Sequence, residues 1–265
     1  MASRLDRKLV VDTALRLLNE VGLDGLTLRR IAKELNVQAP ALYWHFKNKQ
    51  ALLDEMATEM LRRMIGDGPD GPDDAAMAEV LGMSWQDMVT GTCSALRREL
   101  LGYRDGAKVF SGTRMTDDSA APPLELFLGR FVEAGFTPDD AARCWWTAYN
   151  FTIGQVIEEQ SVYPVPGAPE QRSAAVRDPA YDLTGRERRL GADYPLAARA
   201  GRELFGEMDR GFEVGLRLIV AGIEATMAPR GATAPRPEGG AEPPRRVAAS
   251  DRPTASDRPT ASGTG

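Results

Sequence analysis

The chain has 265 residues, with 33 Lys and Arg against 38 Asp and Glu, 43% hydrophobic residues, two Cys and one His. That apolar content is enough to bury the core of one large domain or two small ones. Two cysteines cannot staple a secreted scaffold, a single histidine (His45) cannot build a multi-histidine metal centre, and no apolar run approaches the length that spans a bilayer. The expectation is a soluble cytoplasmic protein with Cys93 and Cys144 as free thiols, no metal, no cofactor and no membrane partner.

The elements follow in chain order. Leu5, Val10, Ala14, Leu17, Leu18 and Val21 recur at helical spacing until Gly22 and Gly25 interrupt them. Thr27 is a good N-cap for a short helix burying Ile31, Ala32 and Leu35. Residues 36–38 make a tight connection, and Pro40 suits the first turn of a third helix running to about Phe46. A longer helix starts near Lys49, with Leu52, Leu53, Met56, Met60, Leu61 and Met64 on its apolar side. Residues 66–74, rich in Gly, Pro and Asp, form a loop. Helices are predicted over 84–101, 106–112, 122–134 and 139–160, the last opened by Pro138. No stretch alternates with period two, so the fold class is all-α. Residues 161–200 carry scattered Pro, Arg and Gly and are read as a mobile loop with at most a short helix. A last strong helix spans 204–227, with Phe212, Leu216, Ile219, Ile223 and Met227 on one face. From 228 onward Pro, Gly, Ala, Ser and Thr dominate, and Ser-Asp-Arg-Pro-Thr-Ala occurs twice in succession; such a tail is expected to be disordered.

Charge divides along the same boundaries. Residues 1–50 hold nine basic and five acidic residues, a net of +4; residues 51–227 hold 18 and 29, a net of −11; residues 228–265 hold six and four, a net of +2. A basic head on an acidic body suggests that one end meets phosphate. The domains are accordingly a head (1–50), a body (51–227) and a tail (228–265).

Three short helices in about 45 residues, the last two joined by a three-residue turn, make a helix-turn-helix candidate. Leu42 and Phe46, four apart, face the core, so Tyr43 and Trp44 project outward beside His45. Arg29 has the fork that reaches guanine bidentately. The same triplet could equally serve as an ordinary small core. No phosphate-cradling glycine loop, nucleophile elbow or acid–base constellation is present, so an enzyme is not expected.

Residues 3–61, from Ser-Arg-Leu-Asp-Arg through Leu-Leu-Asn-Glu-Val-Gly to Leu-Tyr-Trp-His-Phe-Lys-Asn-Lys and Ala-Leu-Leu-Asp, closely resemble the head of the tetracycline-repressor (TetR) family. Ser84-Trp85-Gln86-Asp87, residues 103–109, Gly112-Thr113-Arg114 and Phe151-Thr152-Ile153-Gly154 resemble its body. The resemblance implies an all-α homodimer: a ligand-binding and dimerising core carrying two heads that bind double-stranded operator DNA. It places Thr27, Arg29, Ala39, Pro40, Ala41, Tyr43, Trp44, His45 and Lys49 at the operator. Ala39 and Ala41 stand where the family's tetracycline repressors carry a glutamine and a threonine, which implies a different operator sequence. Tyr43 and Lys49 fall to phosphate, which positions the head without reading sequence.

In the drug-sensing members the inducer is a magnesium chelate held partly by histidines. Carried over by position, the metal-ligand histidine is Phe110 here, the second histidine Ile65, the asparagine Thr92, the glutamine near Phe127 and a core phenylalanine Leu96. Thr113, Arg114 and Glu158 are retained, and Met115 replaces a proline. Phenylalanine has no lone pair to give a metal. The resemblance therefore implies a small-molecule inducer, polyketide-like but not magnesium–tetracycline, in a pocket of Ile65, Leu96, Phe110, Met115 and Phe127 with Thr92, Thr113, Arg114 and Asn150 as its polar groups. Two readings stand for Leu96 and Phe110, as pocket wall or as filler. Arg114 either touches ligand, caps a helix or pairs with Asp105. Trp145, Trp146 and Tyr149 belong to core, dimer or ligand, and Glu158 and Glu159 read as surface charges. Helices 139–160 and 204–227 resemble the pair that builds the family's dimer bundle, with Gly154, Gly211, Gly215 and Gly222 suited to close approach. A transcriptional repressor released by its inducer is the reading; a regulator of the same build, activator or constitutive, with no inducer is the alternative.

Overall fold

The computed structural model describes residues 5–66, 82–167 and 176–227. Most of the expected 66–74 loop and the whole tail from 228 lie outside the described residues. Within them the chain is all helical: α1 (Arg7–Gly25), α2 (Leu28–Glu34), α3 (Ala39–Tyr43), α4 (Lys49–Ile65), α5 (Trp85–Leu101), α6 (Gly106–Phe110), α7 (Ala121–Glu133), α8 (Pro138–Val162), α9 (Leu183–Leu190), α10 (Pro195–Phe205) and α11 (Met208–Thr226).

Local chemistry sets most of the helix starts. The side chains of Asp6, Thr27, Asn48, Ser84, Thr137 and Asp182 each accept from a backbone N–H of the following first turn, satisfying donors that have no partner inside the helix. Helix α1 breaks at Gly22, whose φ of 69° lies in the left-handed region. Helix α4 ends on Gly66 in the same conformation, with Gly66 N–H donating to the last-turn carbonyls.

The buried apolar residues form one large cluster that does not stop at residue 50. It runs from Val10, Leu18, Ile31, Leu42 and Phe46 in the head through Leu52, Met56 and Met60 of α4 to Leu96, Leu100, Phe110 and Val156 in the body. A second cluster is aromatic, with Trp85, Phe127, Phe131 and Phe136 at centroid separations of 5.1–5.5 Å, and α8 and α11 packed against it. A third, small cluster joins Val162, Tyr163 and Met208.

Two expectations are corrected. Residues 161–200, read as a loop with at most a short helix, contain a 3-10 turn (Pro179–Tyr181), all of α9 and most of α10. Pro195 sits in the first turn of α10, where its missing N–H costs nothing, and Gly201 lets Arg186 of α9 pass within 2.8 Å of where a Cβ would stand. Both residues look like helix breakers in one dimension and are helix-pairing devices in three. Glu159, read with Glu158 as a surface charge, is fully buried, whereas Glu158 is exposed. Arg97 of α5 donates to both Glu159 oxygens, through Nε at 2.9 Å, and to Asp209 of α11. This bidentate pairing is what makes a buried carboxylate tolerable. Of the four glycines expected at the dimer bundle, Gly215 alone is required by packing within the chain: a Cβ there would stand 2.3 Å from the ring of Phe151.

Candidate nucleic-acid interface and ligand core

The head is built around α2, a turn and α3. Leu35 ends α2, Asn36 takes a left-handed φ of 53°, and Val37 N–H returns to Ala32 O at 2.9 Å. Asparagine tolerates that conformation better than most side chains, so the turn is compact without glycine. Helix α3 then presents opposite faces. Leu42 and Phe46 are buried at 0% and 1% exposure, while Tyr43 and the following Trp44 stand at 53% and 90%. Folding normally hides much of a tryptophan ring; here one is left almost wholly in water beside a half-exposed tyrosine.

The other proposed contact residues run from the start of α2 through α3 to the start of α4. Arg29 and Pro40 are exposed, and Ala39, Ala41 and His45 are half-buried. Thr27 is exposed, its hydroxyl already accepting from Arg30 N–H at 3.2 Å. Lys49 differs in situation: its ammonium donates to Leu23 O at 2.8 Å and so ties the start of α4 to the end of α1. Arg7 is a residue that spacing does not single out. It donates to His45 O at 2.7 Å, pairs with Glu55 at 2.5 Å and stacks over the Phe46 ring at 4.6 Å. It thereby pins the end of α3 to α1 and α4, across 38 and 48 residues of sequence that leave no periodic trace.

In the body, the structure brings only part of the candidate ligand set together. Leu96 and Phe110 are buried in the large cluster, with Met115 and Tyr149 packed against it. Phe127 belongs to the aromatic cluster instead. A line of rings joins the two: Phe110 to Tyr149 at 6.4 Å, Tyr149 to Trp145 at 5.7 Å, Trp145 to Phe127 at 4.4 Å. Ile65, Thr92 and Thr113 are half-buried, and the Thr113 hydroxyl donates to Phe110 O at 2.7 Å. Asn150 lies apart, exposed on α8 and donating to Trp146 O at 2.8 Å; Trp146, 60% exposed, stacks on Tyr149. Arg114 is exposed, and its N–H donates to Asp54 Oδ1 of α4 at 3.2 Å. Asp105, its candidate partner, instead accepts from Leu23 N–H and from Lys108, each at 3.0 Å.

The loop after α6 is fastened to α4 at three levels. Asp54 takes Arg114 N–H, Thr58 Oγ1 takes Thr116 N–H at 2.9 Å, and Arg62 pairs with Asp117. Ser119 and Arg62 together hold the Asp117 carboxyl down at about 2. The Phe110 ring offers a magnesium ion only carbon, and Leu96 and Met115, in or against the same cluster, add no hard donor.

Two comparisons with family models fit this layout. Residues 10–56 match the model of bacterial regulatory proteins of the tetR family, and residues 80–227 match the tetracyclin repressor-like C-terminal domain. The chain belongs to the TetR family. It is 38% identical over 225 residues to the class C tetracycline repressor protein of Escherichia coli, covering 84% of this chain and 92% of that one. A possible TetR family transcriptional regulator from Streptomyces coelicolor A3(2) superposes with a TM-score of 0.66 at 36% identity, over 83% and 99% of the two chains. A variant of TetR from Acinetobacter baumannii AYE, solved in complex with minocycline, gives 0.59 at 31% identity, over 84% and 98%. The protein is therefore a TetR-family DNA-binding regulator, and such families are regulators rather than enzymes. Among its described residues no helix is long and apolar enough to cross a membrane.

Proposed function

We propose that this TetR-family regulator is a homodimeric repressor that leaves a near-palindromic operator when a small apolar, aromatic inducer enters its body. The exposure of Tyr43 and Trp44 above a buried Leu42 and Phe46 carries the DNA-binding half of this reading. Two such helices would lie in successive major grooves about 34–36 Å apart. Arg29, Tyr43, Trp44 and His45 supply the fork, rings and donors for bases and phosphates. Lys49 ties α4 to the end of α1 with one of its three donors and keeps the others for phosphate.

The pairing surface we assign is the outer face of α8 and α11. Trp146 and Leu218, at 60% and 68% exposure, stand there, and Gly154 and Gly222 have open space beside them. The inducer would insert along the line of rings from Phe110 to Phe127. Displacing Met115 or Thr113 moves the loop that grips α4 at Asp54, Thr58 and Arg62, and α4 is pinned to the head by Arg7 and Lys49. The inducer acts only through its differential affinity for the two arrangements.

The test uses the full chain and a fluorescent duplex covering the DNA upstream of its own gene. Anisotropy should rise at nanomolar protein in low salt and fall as aromatic polyketides are titrated in. No binding by folded dimer would defeat the reading. Binding that no such compound reverses would leave a regulator without an inducer.

A further inference from the structure

Besides Arg63 of α4, which donates to the Tyr103 hydroxyl at 3.1 Å, the corner between α5 and α6 is held from two further sides. On one side is Gln160 of α8, only 6% exposed. Its amide nitrogen donates to Leu100 O and Tyr103 O, both at 2.8 Å, and its oxygen accepts from Ala107 N–H at 3.1 Å. Leu100 O belongs to the last turn of α5, Tyr103 O to the corner itself, and Ala107 N–H to the first turn of α6. A glutamine amide has two donors and one oxygen acceptor, so one side chain answers both helix ends at once. The corner has no slack: a Cβ at Gly106 would lie 2.3 Å from Leu100 O. One residue earlier on α8, Glu159 grips Arg97, which fixes α5 to α8 at the preceding turn.

On the other side is the head. Asn19 of α1 donates to Gly102 O at 3.3 Å and accepts from Arg104 N–H at 2.9 Å. Asp105, itself at a left-handed φ of 56°, accepts the Leu23 N–H just past the break at Gly22. A Cβ at Gly22 would meet Asp105 Oδ2 at 2.9 Å and Arg104 Nε at 3.0 Å, so α1 and the corner touch without room for a methyl group.

We infer that Gln160 is a positioning residue for operator binding: by welding the α5–α6 corner to α8, it makes the head an extension of the helix through which subunits pair. This rests on the dimer reading given above. Subunit pairing then sets the separation of the two recognition helices through α8, Gln160, the corner and α1, and the protein measures half-site spacing by this path. Gln160 touches no DNA; loosening it leaves each head able to bind but lets the pair wander.

The experiment starts from a duplex that the wild-type full chain selects out of random DNA. Affinity is compared for that duplex, for versions with one base pair added or removed at its centre, and for a single half-site. Wild type should lose at least roughly 30-fold on a one-base-pair change, since each step shifts the second half-site by about 3.4 Å and a tenth of a turn. Gln160→Glu keeps the acceptor and loses both donors, and Gln160→Leu loses all three bonds. Both should discriminate spacing less than about threefold and bind the selected duplex roughly 5- to 20-fold more weakly. Their half-site affinity should stay within about twofold of wild type, and sedimentation should still show a dimer. Asn19→Ala and Asp105→Asn loosen the same corner from the head side and should give the same loss of discrimination, which keeps the test decisive if Gln160→Leu fails to fold. Folded dimeric variants with wild-type spacing preference, or a wild type indifferent to spacing, would overturn the proposal. A wild type that selects no DNA would instead defeat the DNA-binding reading on which it stands.

Discussion

Tyr43 and Trp44 share a helix with Leu42 and Phe46, yet the two pairs should respond oppositely to truncation. Trp44→Ala removes a ring that is 90% exposed, so unfolding stability should change by no more than about 0.5 kcal/mol. Operator affinity should fall roughly 10- to 100-fold, the scale of a lost base contact of about 1–3 kcal/mol. Phe46→Ala should cost about 3–5 kcal/mol in urea denaturation, as fully buried aromatics do. Cys93 is a second case. Burial pushes its thiol up to about 11, so it stays protonated at neutral and mildly alkaline pH and should react with a thiol reagent only after denaturation. Asp105 titrates in the other direction. Burial would raise its carboxyl, but the Leu23 amide, Lys108 and Arg104 outweigh that and hold it below the usual carboxylate value. A depressed folded-state value means stability that is present at neutral pH and lost as pH falls through it. The melting difference between wild type and Asp105→Asn should therefore be widest near neutrality and close as the solution is acidified below about 4, the ordinary aspartate range. What is legible from sequence at this scale is periodic: Leu42 and Phe46 in, Trp44 out. The burial of Glu159 is not, because its partner Arg97 lies 62 residues away and nothing local marks it.

Helices α1 to α4 and the ends of α5 and α8 can be read from sequence because caps and helical spacing agree with each other there. Helices α9 and α10 cannot. Within α9 no residue is buried, and α10 buries only Ala198 and Gly201, small residues that do not announce a core in sequence. Their pairing rests on small residues and on arginine stems: Arg186 lies over the Phe205 ring at 5.6 Å and beside Gly201. Close approach is sharper between α8 and α11. Gly215→Ala would drive a methyl group into Phe151, which stacks on Phe212 at 5.8 Å, and should destabilise by about 1–3 kcal/mol in chemical denaturation. The candidate ligand site divides in the same way. Phe110, Leu96 and Met115 are recoverable from position in the family pattern. Asn150 is not separable from them in sequence, because a step of one residue along α8, from half-buried Tyr149 to Asn150, decides whether a side chain packs inward or lies exposed on the face of Trp146.

Over the whole molecule, the basic head and acidic body give a directional field although the net charge is −5. Operator affinity should fall steeply with salt, with a logarithmic slope of about −0.9 for each phosphate neutralised. The Arg97, Glu159 and Asp209 cluster ties three body helices, with its Glu159 end buried and its Asp209 end half-exposed. Arg97→Met alone removes the bidentate partner of the buried Glu159 carboxylate and should cost about 3–5 kcal/mol, while adding Glu159→Leu should recover most of that loss in thermal unfolding. Finally, the apolar interior that passes without a seam from Val10 to Val156 bears on how such regulators diversify. A new pairing of reader and sensor, whether made by recombination or by an engineer, cannot be spliced at the surface. The cut runs through packed side chains, so each hybrid inherits a misfit there and must repair it before either half works.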